Sequence, residues 1–274
     1  MRAVVTLTPA ESKRLIARGT CQLDIVALAR REGTIIVANG VTNSYVVEEL
    51  TGETFADRTL FAAGLVTDGV ACQSPPDRRL EPVVLERGER AAVPWREALA
   101  RFGPRDAFIK GANALDRDGL VGVLLANLKG GTIGEAIGPL AARGANLVVP
   151  IGLEKLVPSV RAAAEALGIQ RQERSLGLKV GMMVVSGARV VTEITALGIL
   201  AGVRVVHVAS GGVGGSEGAV TLAIEGDAAA VERALDIVLD VKGEPVPQAP
   251  KRDCPCERAC EWGTRPAAGP GEEV

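Results

Sequence analysis

Large rings are scarce in this chain: two Trp, one Tyr and four Phe among 274 residues, although 47% of the residues are apolar. A core with so few aromatics is filled by Ala, Val, Leu, Ile and Gly, the usual content of parallel strands covered on both faces by helices. Histidine occurs once, at His207 inside an apolar run, and reads as a core or interface side chain rather than a catalytic one. Charge of one sign is also missing. Lys and Arg total 31 against 33 Asp and Glu, and no basic run appears, so the electrostatic footprint of a nucleic-acid binder is absent. Apolar runs such as Leu147–Ile151 and Val180–Val185 are too short to span a bilayer, and no charged-then-apolar leader opens the sequence. The expectation is a soluble cytoplasmic protein with no membrane partner. Five cysteines, three of them within the last 21 residues, do not form the framework of a disulfide-stapled secreted domain.

What is present is an alternation of short apolar runs and helical patterns. Thr8-Pro9-Ala10-Glu11 reads as a capping box with Pro at the first helical position. Helical runs follow to Ala17 and over Asp24–Arg31, and Gly33 stops the second. Strands are expected at Thr34–Ala38, Thr59–Leu65, Asp106–Lys110, Gly119–Ala126 and Asn146–Ile151, with helices over Pro94–Phe102 and Thr132–Arg143. Residues 68–94 read as a flap or small β excursion. Strands alternating with helices at this spacing imply a parallel sheet. Beyond residue 175 the order is strand Val180–Val185, helix Val190–Ala201, strands Val203–Ala209 and Ala219–Glu225, and helix Ala228–Val241 capped by Asp227. That βαββα order is the pattern of a ferredoxin-like unit. Three segments result: an α/β ligand-binding domain over 1–175, a ferredoxin-like subdomain over 176–245, and a flexible Cys-containing tail over 246–274, rich in Pro, Gly and charge.

Several constellations carry chemistry. Asn39, Gly40, Thr42, Asn43 and Ser44 lie between a strand and a helix, where backbone N–H groups cradle an anion; the same residues also suit a plain βα turn. Lys110, Asn113 and Asp116 fall at the carboxyl end of a strand, the ligand edge of open α/β sheets, although Asn and Asp there also fix turns. Lys129-Gly130-Gly131-Thr132 opens a helix with Glu135 in its first turns, either as an anion site with a general base or as a Thr132/Glu135 capping box. The glycine run 211–218 sits between two strands and reads as a hairpin rather than a phosphate loop. Cys254, Cys256 and Cys260 can supply three thiolates to zinc or to part of an iron–sulfur cluster, with a fourth ligand required from elsewhere.

Four blocks, in order, resemble the ribose-5-phosphate isomerase type A, DeoR-type sugar-sensor and CoA-transferase superfamily. They are the opening loop of 34–50, FIKGANALD at 108–116, ANLKGGTIGE at 126–135 and NLVVPIGLEKL at 146–156. The resemblance covers about residues 8–157. It implies an open, mostly parallel sheet of that type, followed here by the ferredoxin-like unit. It also implies a small anionic metabolite as ligand (a sugar phosphate, nucleotide or acyl-CoA) and a homo-oligomeric assembly. The family's ligand-contacting lysine falls on Lys129 and its base on Glu135, while its two substrate-positioning aspartates are replaced by Lys110 and Asn113. An ammonium and an amide cannot accept the same sugar hydroxyl protons as two carboxylates, but can hold an additional negative group. Two functions follow: isomerisation or transfer at a carbonyl, with Glu135 as base and Lys110 or Lys129 steadying the anion, or a non-catalytic metabolite sensor or scaffold.

Overall fold

The computed structural model describes residues 1–67 and 69–249. In chain order the elements are β1 (Arg2–Leu7), α1 (Pro9–Cys21), α2 (Asp24–Glu32), β2 (Thr34–Val37), α3 (Val41–Thr51), β3 (Gly64–Thr67), β4 (Val70–Gln73), β5 (Val83–Glu86), β6 (Glu89–Arg90), α4 (Trp95–Ala100) and β7 (Ala107–Ile109). There follow β8 (Ala114–Leu115), β9 (Val121–Leu125), α5 (Gly131–Arg143), β10 (Asn146–Pro150), α6 (Val160–Glu165), β11 (Gly181–Val185), β12 (Arg189–Val191), α7 (Glu193–Ala201), β13 (Arg204–Ser210), β14 (Val220–Glu225) and α8 (Ala228–Val241).

The protein is a mixed α/β fold around a six-stranded sheet of order β12-β10-β7-β2-β5-β6. The first four strands of that order run parallel, and β5 and β6 continue antiparallel. Successive strand residues point to opposite faces. Ile35, Ile36 and Val37 are each 0% exposed, so both faces of β2 are covered. Burial of such aliphatic side chains supplies about 1.5–3 kcal/mol apiece before chain entropy is counted. The capping box at Thr8 and Glu11 forms as the sequence implies and starts α1. Further along α1, a Cβ on Gly19 would lie 2.6 Å from Cα of Ala196, so the backbones of α1 and α7 approach closely there.

Three segments depart from the expected elements. Around Thr59 the chain forms a single 3-10 turn, Arg58–Phe61, because the Asp57 carboxylate accepts from both the N–H and the hydroxyl of Thr59. That local bond competes with an extended backbone. The apolar run 190–201 is split: Arg189–Val191 extends along β10, and Thr192 then caps α7. The strands after residue 175 do not form a sheet of their own. β11 pairs with β9 and β12 with β10, while β1 pairs with β14 to complete a three-stranded sheet with β13. Strands from both sides of residue 175 therefore share sheets. Among the described residues no helix is long and apolar enough to cross a membrane.

Candidate functional site

Four parallel strands end on one edge of the main sheet, and polar residues follow each end: Asn39 after β2, Lys110 after β7, Glu154 and Lys155 after β10, and Glu193 after β12. Asn43, in the first turn of α3, ties the first two tips together. Its Nδ2 donates to Ala38 O at 2.6 Å and to Ile109 O at 3.3 Å, while Ala38 N–H donates to Ile109 O at 2.9 Å. The Asn43 Oδ1 atom is buried and has no partner. It lies 3.6 Å from where a Cβ on Gly111 would stand. α3 starts at Val41, earlier than the sequence pattern implied, so Thr42, Asn43 and Ser44 are buried helical residues rather than an open loop. Ser44 Oγ donates to Val41 O, Gly40 N–H donates to Phe61 O, and Asn39 Nδ2 donates to Leu80 O.

Two lysine amines hang from neighbouring backbone carbonyls at this edge. Lys110 Nζ donates to Asn39 O at 3.2 Å and to Gly111 O at 3.4 Å, and Lys155 Nζ donates to Ala112 O at 3.2 Å. Both side chains are half-buried. Burial, and then the Lys155 ammonium, push the Lys110 amine down to about 8. Lys155 is lowered as well, by burial and by Lys13, against the opposing pull of Glu154 and Glu193. Loss of hydration disfavours a charged amine, and a like charge nearby adds to the effect.

The carboxylates stand on either side of Gly152, where a Cβ would be 3.3 Å from Glu193 Oε1 and 3.5 Å from Glu154 Cδ. Glu193 is fully buried, and its oxygens accept Leu153 N–H at 3.0 and 3.3 Å. Burial raises its carboxyl above the usual range despite these bonds. Glu154 Oε1 accepts from Lys13 Nζ at 3.1 Å, and Glu154 Oε2 is buried without a partner. Three ammonium groups thus face two carboxylates, and burial favours the neutral form of one of them.

The other residues singled out in the sequence are engaged elsewhere. Asn113 accepts Leu124 N–H with its Oδ1 and donates its own N–H to Gly122 O, which fixes the β8–β9 turn. Asp116 accepts the N–H groups of Asp118, Leu120 and Val160, and the Val160 bond leads in holding its carboxyl below the ordinary range. Lys129 N–H donates to Asn127 Oδ1, Gly130 and Gly131 take left-handed backbone, and α5 begins at Gly131 without a side-chain cap from Thr132. Glu135 takes no part in a capping box. Both its oxygens are held by Arg96, at 2.6 and 2.9 Å, on the surface, and that bond keeps it below the usual carboxylate range. Cys254, Cys256 and Cys260 lie outside the described residues. Among those described, no group of three His, Cys, Asp or Glu side chains could hold a metal ion.

Sequence reasoning did not single out Lys13, Glu154, Lys155 or Glu193 as site residues. The first belongs to a helix read only for its cap, and Glu193 was hidden in a run read as one helix. Glu154 and Lys155 lie in the block 146–156 and carried a signal in their position just past an apolar strand. At the opposite, amino end of the strands lies an open cleft of about 650 Å³, bordered by Thr34, Arg101, Arg105 and Asp106. There Asp106 is spent on the N–H groups of Thr34 and Gly103. Comparison with protein-family models, with curated proteins and with solved structures finds no match to this chain.

Proposed function

We propose that the carboxyl edge of β2, β7, β10 and β12 binds a small anionic metabolite of the sugar-phosphate, nucleotide or acyl-CoA type. The observation that carries this reading is the surplus of positive charge: Lys13, Lys110 and Lys155 against Glu154 and Glu193, with Lys110 bonded to carbonyl oxygens instead of a carboxylate. A half-buried ammonium without a counter-charge is costly, and an anionic guest removes that cost. Open α/β sheets place their ligands outside the carboxyl ends of their strands, which is where these groups gather. A sensor without turnover is the second reading. It is favoured by Glu135, whose two oxygens are clamped by Arg96 and which stays ionised at the surface.

Thermal unfolding in the presence of sugar phosphates, nucleotides and acyl-CoA compounds tests both readings. At least one class should raise the unfolding temperature of the native chain, and Lys110→Met or Lys155→Met should abolish the increase. Equal stabilisation of both variants by every compound would overturn the site. Stabilisation without conversion of any hit would select the sensor.

A further inference from the structure

We propose that Lys110 is a nucleophilic amine that condenses with the aldehyde or ketone group of a small anionic carbonyl compound to form an imine, while Lys155 holds the anionic end. This rests on the strand-tip reading above and names the substrate class for it. Three features of the geometry support it.

The first is the choice of partners. Both hydrogen bonds of Lys110 Nζ go to backbone carbonyls, Asn39 O and Gly111 O, so a neutral amine still donates there while its lone pair is left for another atom. A lysine locked to a carboxylate would be held in its ammonium form.

The second is the neighbour. Lys155 Nζ is bonded to Ala112 O, the carbonyl next to the one Lys110 uses, so two ammonium groups compete for one small region. Desolvation beside a second cation is an established way to activate a lysine nucleophile. In keeping with this, the Lys110 amine is pushed down to about 8, which leaves a useful neutral fraction near neutral pH.

The third is access. Lys110 is only half-buried, and Gly111 beside it carries no side chain to obstruct an approaching carbonyl. The remaining charged groups are Lys13, paired with Glu154, and Glu193, bonded to Leu153 N–H. Neither competes for the Lys110 amine by a direct hydrogen bond.

The step balances without an oxidant or reductant. The Nζ lone pair attacks the carbonyl carbon, a C–N bond forms as the C=O π bond breaks, and one proton passes from the nitrogen to the oxygen, which becomes a hydroxyl. The carbinolamine hydroxyl leaves as water with a proton from Lys155, the nitrogen lone pair forms the C=N bond, and the proton left on that nitrogen returns to Lys155, which is an ammonium again. Hydrolysis reverses the sequence.

The test uses the full chain with pyruvate or glyceraldehyde 3-phosphate and sodium cyanoborohydride, which reduces an imine to a stable secondary amine. Peptide mass spectrometry should find a single predominant adduct on Lys110, forming faster at pH 9 than at pH 7. The adduct should be lost in Lys110→Arg, which keeps the charge and leaves the other lysines as an internal control. In parallel, the unfolding temperature is measured with each compound and with inorganic phosphate, without reductant. Stabilisation with no Lys110 adduct overturns the imine and leaves the anion site standing. No stabilisation by any of the three, together with adducts spread evenly over surface lysines in both proteins, overturns both.

Discussion

A lysine amine packed beside carbonyl oxygens and a second ammonium loses more by being charged in the folded protein than in the unfolded chain. For Lys110 the ordinary value of 10.5 falls to about 8. Between those two values the unfolded chain binds the proton and the folded chain does not, so stability rises with pH across that window. Below about pH 8 both states carry the proton and the full cost remains. Urea titrations at a series of pH values should therefore show the native protein gaining stability relative to Lys110→Met from pH 8 to 10.5. Parallel curves would rule out the perturbed amine. Lys110 and Asn43 were visible in the sequence as site candidates because each follows an apolar run at a point where a strand must end. Their neighbours were not, since Glu193 and Lys155 acquire their character only from burial and from one another. A letter in a sequence carries no information about which strand lies next to it.

Long, periodic elements were legible, and short ones that depend on a partner were not. The strands Thr34–Val37, Ala107–Ile109 and Asn146–Pro150 could be read from their apolar runs, and the Thr8 and Asp227 caps from helix-start chemistry. β12 has three residues and gains its extended form by pairing with β10, which local pattern cannot reveal. β1 alternates in burial, but its Ala, Val and Thr side chains differ too little in polarity to announce the alternation. The α1–α7 contact was equally silent, because a glycine in a helix signals nothing until the facing backbone is known. At Gly19 an added Cβ would meet Ala196 Cα and Cβ at 2.6 Å, so Gly19→Val must push the two helices apart. Overpacking of this kind costs about 1–3 kcal/mol. Denaturant unfolding should show a loss in that range, whereas Gly138→Ala in α5, where a Cβ meets nothing within 4 Å, should be neutral or slightly stabilising.

On the scale of the whole molecule, a buried charge cluster binds α1, α3 and the segment after α8. Glu48 is 6% exposed and accepts from Arg14 at 2.6 Å and from Arg58 at 3.0 and 3.1 Å, while Glu244 accepts from the same two guanidinium groups. Tyr45 lies between them, its ring centroid 4.7 Å from Arg14 and 4.4 Å from Arg58. Burial by itself would raise the Glu48 carboxyl, yet the Arg58, Phe55 N–H and Arg14 bonds together hold it below the usual range. Removing one partner from a buried ion pair costs about 3–5 kcal/mol, so Glu48→Ala should lose that much near neutral pH. A carboxylate depressed in the folded state contributes stability above its unfolded value and loses it as pH falls through the folded one. The gap between native and Glu48→Ala should therefore narrow below the ordinary value of 4.5, measured by unfolding across an acid series. The sheet that β1 completes bears on how the chain is made. Arg2 lies opposite Glu225, so β1 leaves the ribosome well before β14 and finds its neighbour only once residues 220–225 have been synthesised. Until then β1 has no β14 to pair with, and closing so long a loop is slow as well as entropically costly. During translation the nascent chain thus carries an unmatched edge, open to holdase chaperones or to a second nascent copy.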